Sequence, residues 1–415
     1  MSPFSSRLTP AARPAASGAA ALPASPATPA RPADPAASGR PAAPATVAPR
    51  PVSSAMATQP AGKQVAARVM LCDDSTVIRN VLARMLEADP EIEVVAKVAN
   101  GQEAVNTIRD VRPDVVVLDI EMPVMDGMTA LPLLLQADAG VRVVMASTLT
   151  TRGADIALRA LRLGAVDYIP KPSTIGTVSD DSFRRELLEK VKGLARQRRR
   201  ILQTALPGAP KTALSLRSAP TFPARLLAIG SSTGGPQALF TLVQGLGRSV
   251  NVPVVMTQHM PATFTPILAD HLTRIGMMPC AEARDGESLQ AGRIYLAPGD
   301  KHLLVEGSRL ALRARLTTDP PENFCRPAVD PMLRSAAAAC EGRVLVGMLT
   351  GMGRDGLEGT KKVVEVGGAA IAQDEASSVV WGMPGAIAQA GLCHAVLPLA
   401  KMAPQLLEML KGARA

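Results

Sequence analysis

Two stretches of this 415-residue chain alternate short apolar runs with segments of helical periodicity, and this pattern constrains the fold more than any other feature. The first stretch covers 66–171 and the second begins at Arg225. Such alternation is typical of parallel sheets whose two faces are covered by helices. We therefore predict an α/β protein with two doubly wound parallel-sheet domains.

The apolar runs give the expected strands, and the periodic segments between them give the expected helices. In the first stretch we predict strands at 68–71, 93–96, 114–118, 142–146 and 168–169, with helices near 75–87, 101–110, 127–136 and 152–162. In the second we predict strands at 226–229, 252–256, 293–297, 343–349 and 369–372, with helices near 235–246, 263–275, 330–340, 355–366 and 402–412.

Composition divides the rest of the chain. Residues 1–60 contain 19 Ala and 13 Pro, which offer little apolar area to bury, so we predict a disordered arm over 1–64. A first domain is expected over 66–183 and a second over 225–413. Between them, 184–224 is predicted to be a linker that starts as a charged helix and is then broken by prolines.

The formal net charge of +9 suggests a protein that binds nucleic acid, but this charge is distributed unevenly along the chain. Residues 1–60 carry +4 and 190–225 carry +9, whereas 61–189 carry −5 and 226–415 carry +1. The excess therefore lies on the arm and the linker. The chain also has only nine aromatic residues, although single-stranded nucleic-acid modules depend on aromatic stacking. The basic run 196–200 is interpreted as a solvated helix end.

The sequence favours an intracellular protein. Five cysteines without a C-x-x-C pair argue against a disulfide framework or a cysteine-rich zinc site. No run approaches the ~20 apolar residues of a membrane span, and the first residues lack the layout of a signal peptide. We expect a cytoplasmic location and no membrane insertion.

Polar side chains of the first domain fall where predicted strands end. Asp73 and Asp74 follow the first strand, Asp119 ends the third, Ser147 follows the fourth and Lys171 the fifth. These positions converge on one sheet edge. Three carboxylates repel one another unless a hard cation such as Mg²⁺ lies among them. The set suits phosphorylation of a carboxylate, although single Asp residues at such places are often turn formers or helix caps.

The segment 119–127, Asp-Ile-Glu-Met-Pro-Val-Met-Asp-Gly, resembles the signature of response-regulator receiver domains, which have a flavodoxin-like fold. The resemblance implies that a histidine kinase phosphorylates Asp119 and that Mg²⁺ is required. It also implies a role for each strand-end residue: Asp73, Asp74 and Asp119 as metal ligands, Lys171 as a phosphoryl contact, and Ser147 with Tyr168 as the switch pair.

The second domain contains a candidate nucleophile. Gly230-x-Ser232-x-Gly234 follows its first strand and fits a strand-to-helix turn that exposes a serine. A plain turn or a phosphate cradle fits the same spacing. The segment lacks the lysine of a P-loop and the full dinucleotide fingerprint, which disfavours a mononucleotide-binding module.

A serine nucleophile needs a base and an orienting acid. Of four histidines, His259 is the preferred base because it ends the strand predicted next along the chain, and His302 remains a rival. We interpret His271 as a surface residue and His394 as structural. Asp355, in a glycine-dense turn after another strand, is the preferred acid, with Asp374 and Glu375 as second choices.

The order Ser, His, Asp differs from that of common α/β-hydrolases. Four segments instead resemble the CheB methylesterase family, whose catalytic domain has a Rossmann-like α/β fold: 232–235, 257–261, 297–300 and 349–356. The resemblance implies Ser232 as nucleophile, His259 as base and Asp355 as orienting acid, with Thr233 and Met352 at the oxyanion site. At Cys325 many relatives have a histidine, and we interpret this cysteine as a packing residue.

The resemblance also implies the reaction and the partners. We expect a phosphorylation-activated hydrolase that demethylates glutamate methyl esters and deamidates glutamines on methyl-accepting chemoreceptors. A CheA-type histidine kinase would be the phosphodonor, the hydrolase site would need no cofactor, and the protein would be a monomer that does not bind nucleic acid. The alternative is a response regulator whose output does bind nucleic acid through the run 196–200.

Overall fold

A computed structural model gives the fold of residues 66–171, 180–203, 214–218, 223–308 and 311–411. The predicted arm over 1–64 and most of the linker after residue 203 lie outside these described residues. The five cysteines all lie within them and are free thiols. No helix in the described ranges combines the length and the apolar composition that crossing a membrane requires.

The first domain has the predicted doubly wound fold, with five parallel strands in the order β2-β1-β3-β4-β5. Its strands are largely buried, except for the partly exposed edge strand Ile92–Val98, and its helices are amphipathic, as the sequence pattern predicts. The elements are β1 (Ala67–Cys72), α1 (Thr76–Glu87), β2 (Ile92–Val98), α2 (Gly101–Val111), β3 (Val115–Asp119), α3 (Gly127–Ala137), β4 (Arg142–Ser147), α4 (Thr151–Arg162), β5 (Asp167–Pro170) and α5 (Asp180–Gln203).

A close approach explains the glycine at the start of α3. A Cβ atom at Gly127 would lie 2.0 Å from the carbonyl oxygen of Asp119, so no larger residue fits against the end of β3. Asp126 caps the same helix by accepting a hydrogen bond from Thr129 N at 2.7 Å. The short signature after Asp119 therefore folds back directly against the backbone of Asp119.

Helix α5 packs along its length on the sheet of the first domain, and the predicted boundary at residue 183 falls inside it. Leu187, Val191 and Leu194 are buried in the cluster that contains the apolar side chains of β1 and β3. The basic run at its end is only partly solvated, since Arg196 and Arg200 are 60% and 61% exposed but the arginines between them are covered. Arg198 is 11% exposed and pairs with Asp138 at 2.6 Å, because acidic loops of the domain surround this end of the helix.

The second domain has a seven-stranded parallel sheet in the order β14-β13-β12-β6-β7-β9-β8 and an antiparallel hairpin, β10–β11. The hairpin and the short edge strands were not predicted. The elements are β6 (Leu226–Ser231), α6 (Gly235–Leu246), β7 (Val254–Gln258), α7 (Thr265–Gly276), β8 (Cys280–Glu282), β9 (Ile294–Leu296), β10 (His302–Gly307), β11 (Leu312–Thr317), α8 (Val329–Ala339), β12 (Val344–Met348), α9 (Leu357–Glu365), β13 (Ala369–Gln373), α10 (Met383–Gln389), β14 (Ala395–Leu397) and α11 (Leu399–Leu410).

One apolar core runs through both domains, from the α4 side of the first to α6 and α7 of the second. The ring of Tyr168 stacks on Phe264 with centroids 4.3 Å apart. The side chain of Gln237 in α6 donates to the carbonyl oxygens of Leu161 and Ala165. The two domains therefore meet through both apolar and hydrogen-bonded contacts.

His271 contradicts its interpretation as a surface residue. Its side chain lies in this interface, is 7% exposed, and its Nε2 lies 3.2 Å from Oδ1 of Asp155 in α4. The sequence places His271 correctly on a helix. It gives no sign that another domain covers that helix.

The ion pairs of α5 give a test of how this helix is fixed. Asp114 is buried and accepts from Arg68 N at 3.0 Å and from Arg199 Nη2 at 2.6 Å. We expect Asp114→Asn to lower the free energy of unfolding in urea by about 1–3 kcal/mol, because charge-assisted hydrogen bonds are lost. As a control, Glu93→Gln removes an exposed pair with Arg68 and should cost about 0.5 kcal/mol or less. Equal effects of the two variants would contradict this account.

Candidate active site and phosphoacceptor site

The parallel register of the first sheet brings the predicted acidic residues together. Cys72 pairs with Leu118, so Asp73 and Asp119 leave neighbouring strands at the same level. One carboxylate oxygen from each of Asp73, Asp74 and Asp119 lies within 4.8 Å of the others. Asp73 and Asp119 are buried, whereas Asp74 is exposed. Oxygen donors at this spacing, open on one side, fit a bound Mg²⁺.

Lys171 lies across the two buried carboxylates. Its Nζ atom is 2.6 Å from Oδ2 of Asp119 and 2.8 Å from Oδ2 of Asp73. Burial raises the pKa of Asp119, and the ammonium of Lys171 offsets only part of that rise. Burial lowers the pKa of Lys171, but its bonds to the two carboxylates raise the pKa overall. The three groups hold one another in place as a compact charged cluster.

The predicted switch residues are not directed at Asp119 by a hydrogen bond within the described residues. The hydroxyl of Ser147 is buried and donates to the carbonyl oxygen of Thr148 at 3.1 Å. Tyr168 is 4% exposed and its ring contacts the second domain at Phe264. The structure therefore brings both residues near the strand ends, with the tyrosine turned into the interface.

The candidate nucleophile lies at the end of β6, where the chain order reverses between β7 on one side and β12 on the other. Ligands bind at such points in open α/β sheets. Gly234 adopts a left-handed conformation with φ of 72°, which closes the turn between Ser232 and the first residue of α6. The side chain of Ser232 is half-buried. The turn thus leaves the hydroxyl at the open edge of the sheet.

His259 and Asp355 form a close pair beside this turn. Nε2 of His259 lies 2.7 Å from Oδ2 of Asp355. The backbone N–H of His259 donates to the carbonyl oxygen of Ser231 at 3.1 Å, which fixes the residue after β7 next to the residue before Ser232. Within the described residues no hydrogen bond joins the Ser232 hydroxyl to the histidine ring.

Backbone and amide donors hold Asp355 in one orientation. Its carboxylate accepts from the N–H groups of Val329 at 2.6 Å and Asp330 at 3.1 Å, and from the side chain of Asn323 at 2.9 Å. Burial raises its pKa, but His259 and the two backbone N–H groups lower the pKa overall. Asp355 therefore carries its charge in a buried site and fixes the imidazole beside it.

Cys325 contacts the other nitrogen of the same ring. Its Sγ atom lies 3.4 Å from Nδ1 of His259. The interpretation of Cys325 as a packing residue therefore misses its main contact. Burial lowers the pKa of His259, but the adjoining Cys325 sulfur and Asp355 carboxylate raise it to about 10. In this arrangement the ring is protonated at neutral pH.

The glycine turn after β12 lies directly against the candidate serine. A Cβ atom at Gly351 would be 2.9 Å from Cβ of Ser232, and the N–H of Ser232 donates to Thr350 O at 3.1 Å. The backbone N–H groups of Thr233 and Met352 have no hydrogen-bond acceptor among the described residues. The predicted oxyanion residues thus carry two unused donors beside Ser232.

The rival candidates have other partners. His302 is 2% exposed, with its ring nitrogens near Pro320 O at 3.2 Å and Ala328 N at 3.2 Å. The ring of His394 accepts from Ala370 N at 3.3 Å, in agreement with a structural role. Asp374 accepts from Ser377 N at 2.9 Å. Glu375 pairs with Arg200 of α5. Neither acid orients His259.

Comparison with known proteins identifies the family. The profile described as CheB methylesterase matches residues 227–406, and the response regulator receiver domain profile matches 69–180. The chain is 54% identical over 372 residues to the protein-glutamate methylesterase/protein-glutamine glutaminase of group 2 operon from Rhodospirillum centenum, covering 83% of this chain and 94% of that relative. The chain belongs to the CheB methylesterase family.

A second sequence relative agrees with this assignment. The protein-glutamate methylesterase/protein-glutamine glutaminase 1 of Paramagnetospirillum magneticum is 51% identical over 372 residues, which covers 84% of this chain and 98% of that protein. The crystal structure of the Thermotoga maritima CheB methylesterase catalytic domain is 38% identical, with a TM-score of 0.44, and covers 45% of this chain and 100% of that chain. The two profiles and the two sequence relatives do not support the alternative of a nucleic-acid-binding output.

In this CheB-family chain, the receiver helix α5 lies over the turns around the candidate active site. A Cβ atom at Gly193 would be 3.0 Å from Cε of Met352. Gln197 donates to the carbonyl oxygen of Ser378. The guanidinium of Arg185 lies 3.8 Å from the ring centroid of Phe324, which precedes Cys325. These cross-domain contacts, like the Cys325–His259 contact, have no local sequence signal.

The raised pKa of His259 is measurable. We expect its imidazole carbon signal, assigned by its loss in His259→Gln, to stay in the protonated position from pH 6 through pH 8 and to titrate near the pKa of about 10. Because the folded pKa lies above the unfolded one, this group's contribution to stability is complete below about pH 6.5 and falls as pH rises through 10. Asp355→Asn removes one opposing charge and should move the titration toward neutral pH. A wild-type midpoint below 7 would contradict this electrostatic account.

Proposed function

We propose that this chain is a phosphorylation-activated serine hydrolase that demethylates glutamate methyl esters and deamidates glutamines on methyl-accepting chemoreceptors. The observation that carries the proposal is the hydrogen bond between His259 and Asp355 beside the turn that presents Ser232. Relatives about half identical over most of the chain bear both activities in their names.

In this mechanism the hydroxyl oxygen of Ser232 attacks the side-chain carbonyl of a γ-glutamyl methyl ester. His259 takes the hydroxyl proton at Nδ1, because its Nε2 is held by Asp355. The contact between Nδ1 and Cys325 must open and the ring must lose its proton before that transfer. Hydrogen bonds of catalytic groups are often incomplete before substrate binds.

The base then returns its proton to the methoxide oxygen, which leaves as methanol. Water attacks the acyl-enzyme with His259 again as base, and the products are a glutamate side chain and the free serine. Asp355 remains ionised throughout, and its charge stabilises the imidazolium that forms in each half-reaction. An amide substrate follows the same path and releases ammonia, which accounts for deamidation.

The unused N–H groups of Thr233 and Met352 fit the oxyanion that forms in each half-reaction. Backbone donors are already oriented, so they stabilise the developing charge without reorganisation. We propose that they bind the substrate's carbonyl oxygen as it becomes negative. Because Gly351 lacks a side chain, the Met352 turn can lie close to Ser232.

Asp119 is the proposed phosphoacceptor, with a CheA-type histidine kinase as the phosphodonor. Asp73, Asp74 and Asp119 would hold Mg²⁺, which neutralises charge on the incoming phosphoryl group. Lys171 already lies within 2.6 Å of Asp119 and is placed to contact that group once it is attached. Ser147 would then change its partner from the Thr148 carbonyl to a phosphoryl oxygen.

The interface transmits this change to the hydrolase. Tyr168 stacks on Phe264, which lies five residues after His259. Helix α5 covers the turns at Met352 and Ser378. We propose that the unphosphorylated receiver blocks substrate through α5 and that phosphorylation weakens the packing of the two domains.

Two adjacent serines allow a matched test of the nucleophile. Ser232→Ala should lower methanol release from methylated receptor, and ammonia release from a glutamine substrate, by at least about a thousandfold. Ser231→Ala removes only a buried hydrogen bond to Gln258 and should lower both by no more than about tenfold. Acetyl phosphate should still phosphorylate Asp119 in both variants. Retained hydrolysis in Ser232→Ala would refute the assignment.

The hydrogen bonds of Gln237 test the inhibitory interface. Gln237→Ala removes two bonds to the receiver and should raise methanol release by the unphosphorylated protein about fivefold, as a loss of about 1 kcal/mol would. Thr241→Ala, one turn along the same helix, removes only a bond to the backbone of Gln237. Its activity should stay within about twofold of wild type. If both variants match wild type, this contact does not contribute to inhibition.

A further inference from the structure

The five cysteines of this chain differ sharply in their surroundings. Cys72, Cys280, Cys340 and Cys393 are buried, and burial raises the pKa of each of these thiols to between about 11 and about 12. Cys325 alone is half-buried, and it alone contacts a histidine. Buried thiols far from a base are inert, whereas a thiol beside an imidazole is the kind that reacts.

Cys325 belongs to a three-membered cluster. Its Sγ lies 3.4 Å from Nδ1 of His259, and Nε2 of that ring lies 2.7 Å from Asp355. A thiol, an imidazole and a carboxylate in this order favour transfer of the thiol proton to the ring. Asp355 on the other side of the ring stabilises the imidazolium that such a transfer forms.

The loop that carries Cys325 holds the sulfur in place. Cys325 and Glu322 exchange backbone hydrogen bonds of 2.9 and 3.1 Å across a tight turn. Glu322 forms two bonds of 2.6 Å to Arg334, and Arg326 donates to two carbonyl oxygens at 3.1 Å. Hydrogen bonds therefore hold the loop in place on both sides of the cysteine, and the fold of this loop positions Cys325 against His259.

We propose that Cys325 is a redox-sensitive modification site through which hydroperoxides switch off the hydrolase. The inference rests on the proposed function, because the group that the modification disables is the base of that reaction. Oxidation of Cys325 would regulate the same active site that, on the proposed function, phosphorylation of the receiver also regulates.

The chemistry balances with a hydroperoxide as the oxidant. The thiolate attacks the terminal peroxide oxygen, an S–O bond forms and the O–O bond breaks. Sulfur is oxidised to a sulfenic acid and the peroxide is reduced to an alcohol or to water, which takes its proton from the His259 imidazolium. A small thiol would condense with the sulfenic acid, release water and give a mixed disulfide, from which a second thiol regenerates Cys325.

The modified sulfur would block the base directly. A sulfenic acid or a mixed disulfide at Cys325 is larger than the thiol and lies against Nδ1, the atom that must take the proton of Ser232. The hydrolase would therefore lose activity while its fold and its receiver stay intact. The four buried cysteines would not contribute.

The test uses the full chain with iodoacetamide and, separately, hydrogen peroxide, each followed by peptide mass mapping and by methanol release. We expect Cys325 to be alkylated at least about tenfold faster than any other cysteine, with loss of most of the activity. A thiol should restore the peroxide-treated enzyme but not the alkylated one. Uniform labelling, or full labelling of Cys325 without loss of activity, would overturn the proposal.

Variants separate this proposal from the proposed function. Cys325→Ala and Cys325→Ser should each keep, after treatment, the activity each shows before it, whereas Cys393→Ala should remain as sensitive as wild type. If the Cys325 variants are also inactivated, the proposal is wrong. His259→Gln should slow alkylation of Cys325 at least about tenfold because the proton acceptor is gone, and an unchanged rate would contradict the cluster. Ser232→Ala has no hydrolase activity on the proposed function, so its rapid labelling at Cys325 would support the site independently of catalysis.

Discussion

The hydrogen bond between His259 and Asp355 is the contact around which the catalytic domain is arranged. It joins the end of β7 to the turn after β12, so it spans the strand, β6, that presents Ser232. The carboxylate remains charged inside the protein because His259 and the backbone donors at the start of α8 lower its pKa. Those donors exist because the first N–H groups of a helix have no partner within the helix. The start of α8 must therefore lie beside Asp355 if this carboxylate is to keep its charge.

The contacts of the His259 ring also limit its ability to act as a base in the resting enzyme. With Nε2 on Asp355 and Nδ1 on Cys325, both nitrogens of the His259 ring are engaged. An imidazole held in this way is charged at neutral pH and cannot act as a base. Helix α5 lies nearby, and its Arg185 contacts the residue before Cys325. On the proposed function, a covering α5 and a protonated base would both keep the enzyme inactive.

The sequence predicts what depends on local pattern and misses what depends on distant contacts. Buried parallel strands are continuous apolar runs, so the sheets could be placed, and their register brought Asp73, Asp119 and Lys171 together as expected. Short edge strands such as β8 and β14 have too few residues to show a period. The interface position of His271 and the Cys325 contact arise from chain segments more than sixty residues apart, and no window of the sequence contains that information.

Charged side chains at the end of α5 contact both domains. The basic run at the end of α5 is used internally, since Arg198 pairs with Asp138 of the receiver and Arg200 with Glu375 of the catalytic domain. One helix end thus bridges both domains.

On the proposed function, a phosphoryl group on Asp119 draws Lys171 and Ser147 toward itself and removes support from β5, which carries Tyr168. The stack on Phe264 and the hydrogen bonds of Gln237 oppose that movement. Activation therefore requires the new phosphoryl contacts to contribute more free energy than the interface contacts that they break. Mutations that weaken the interface contacts therefore favour the active state.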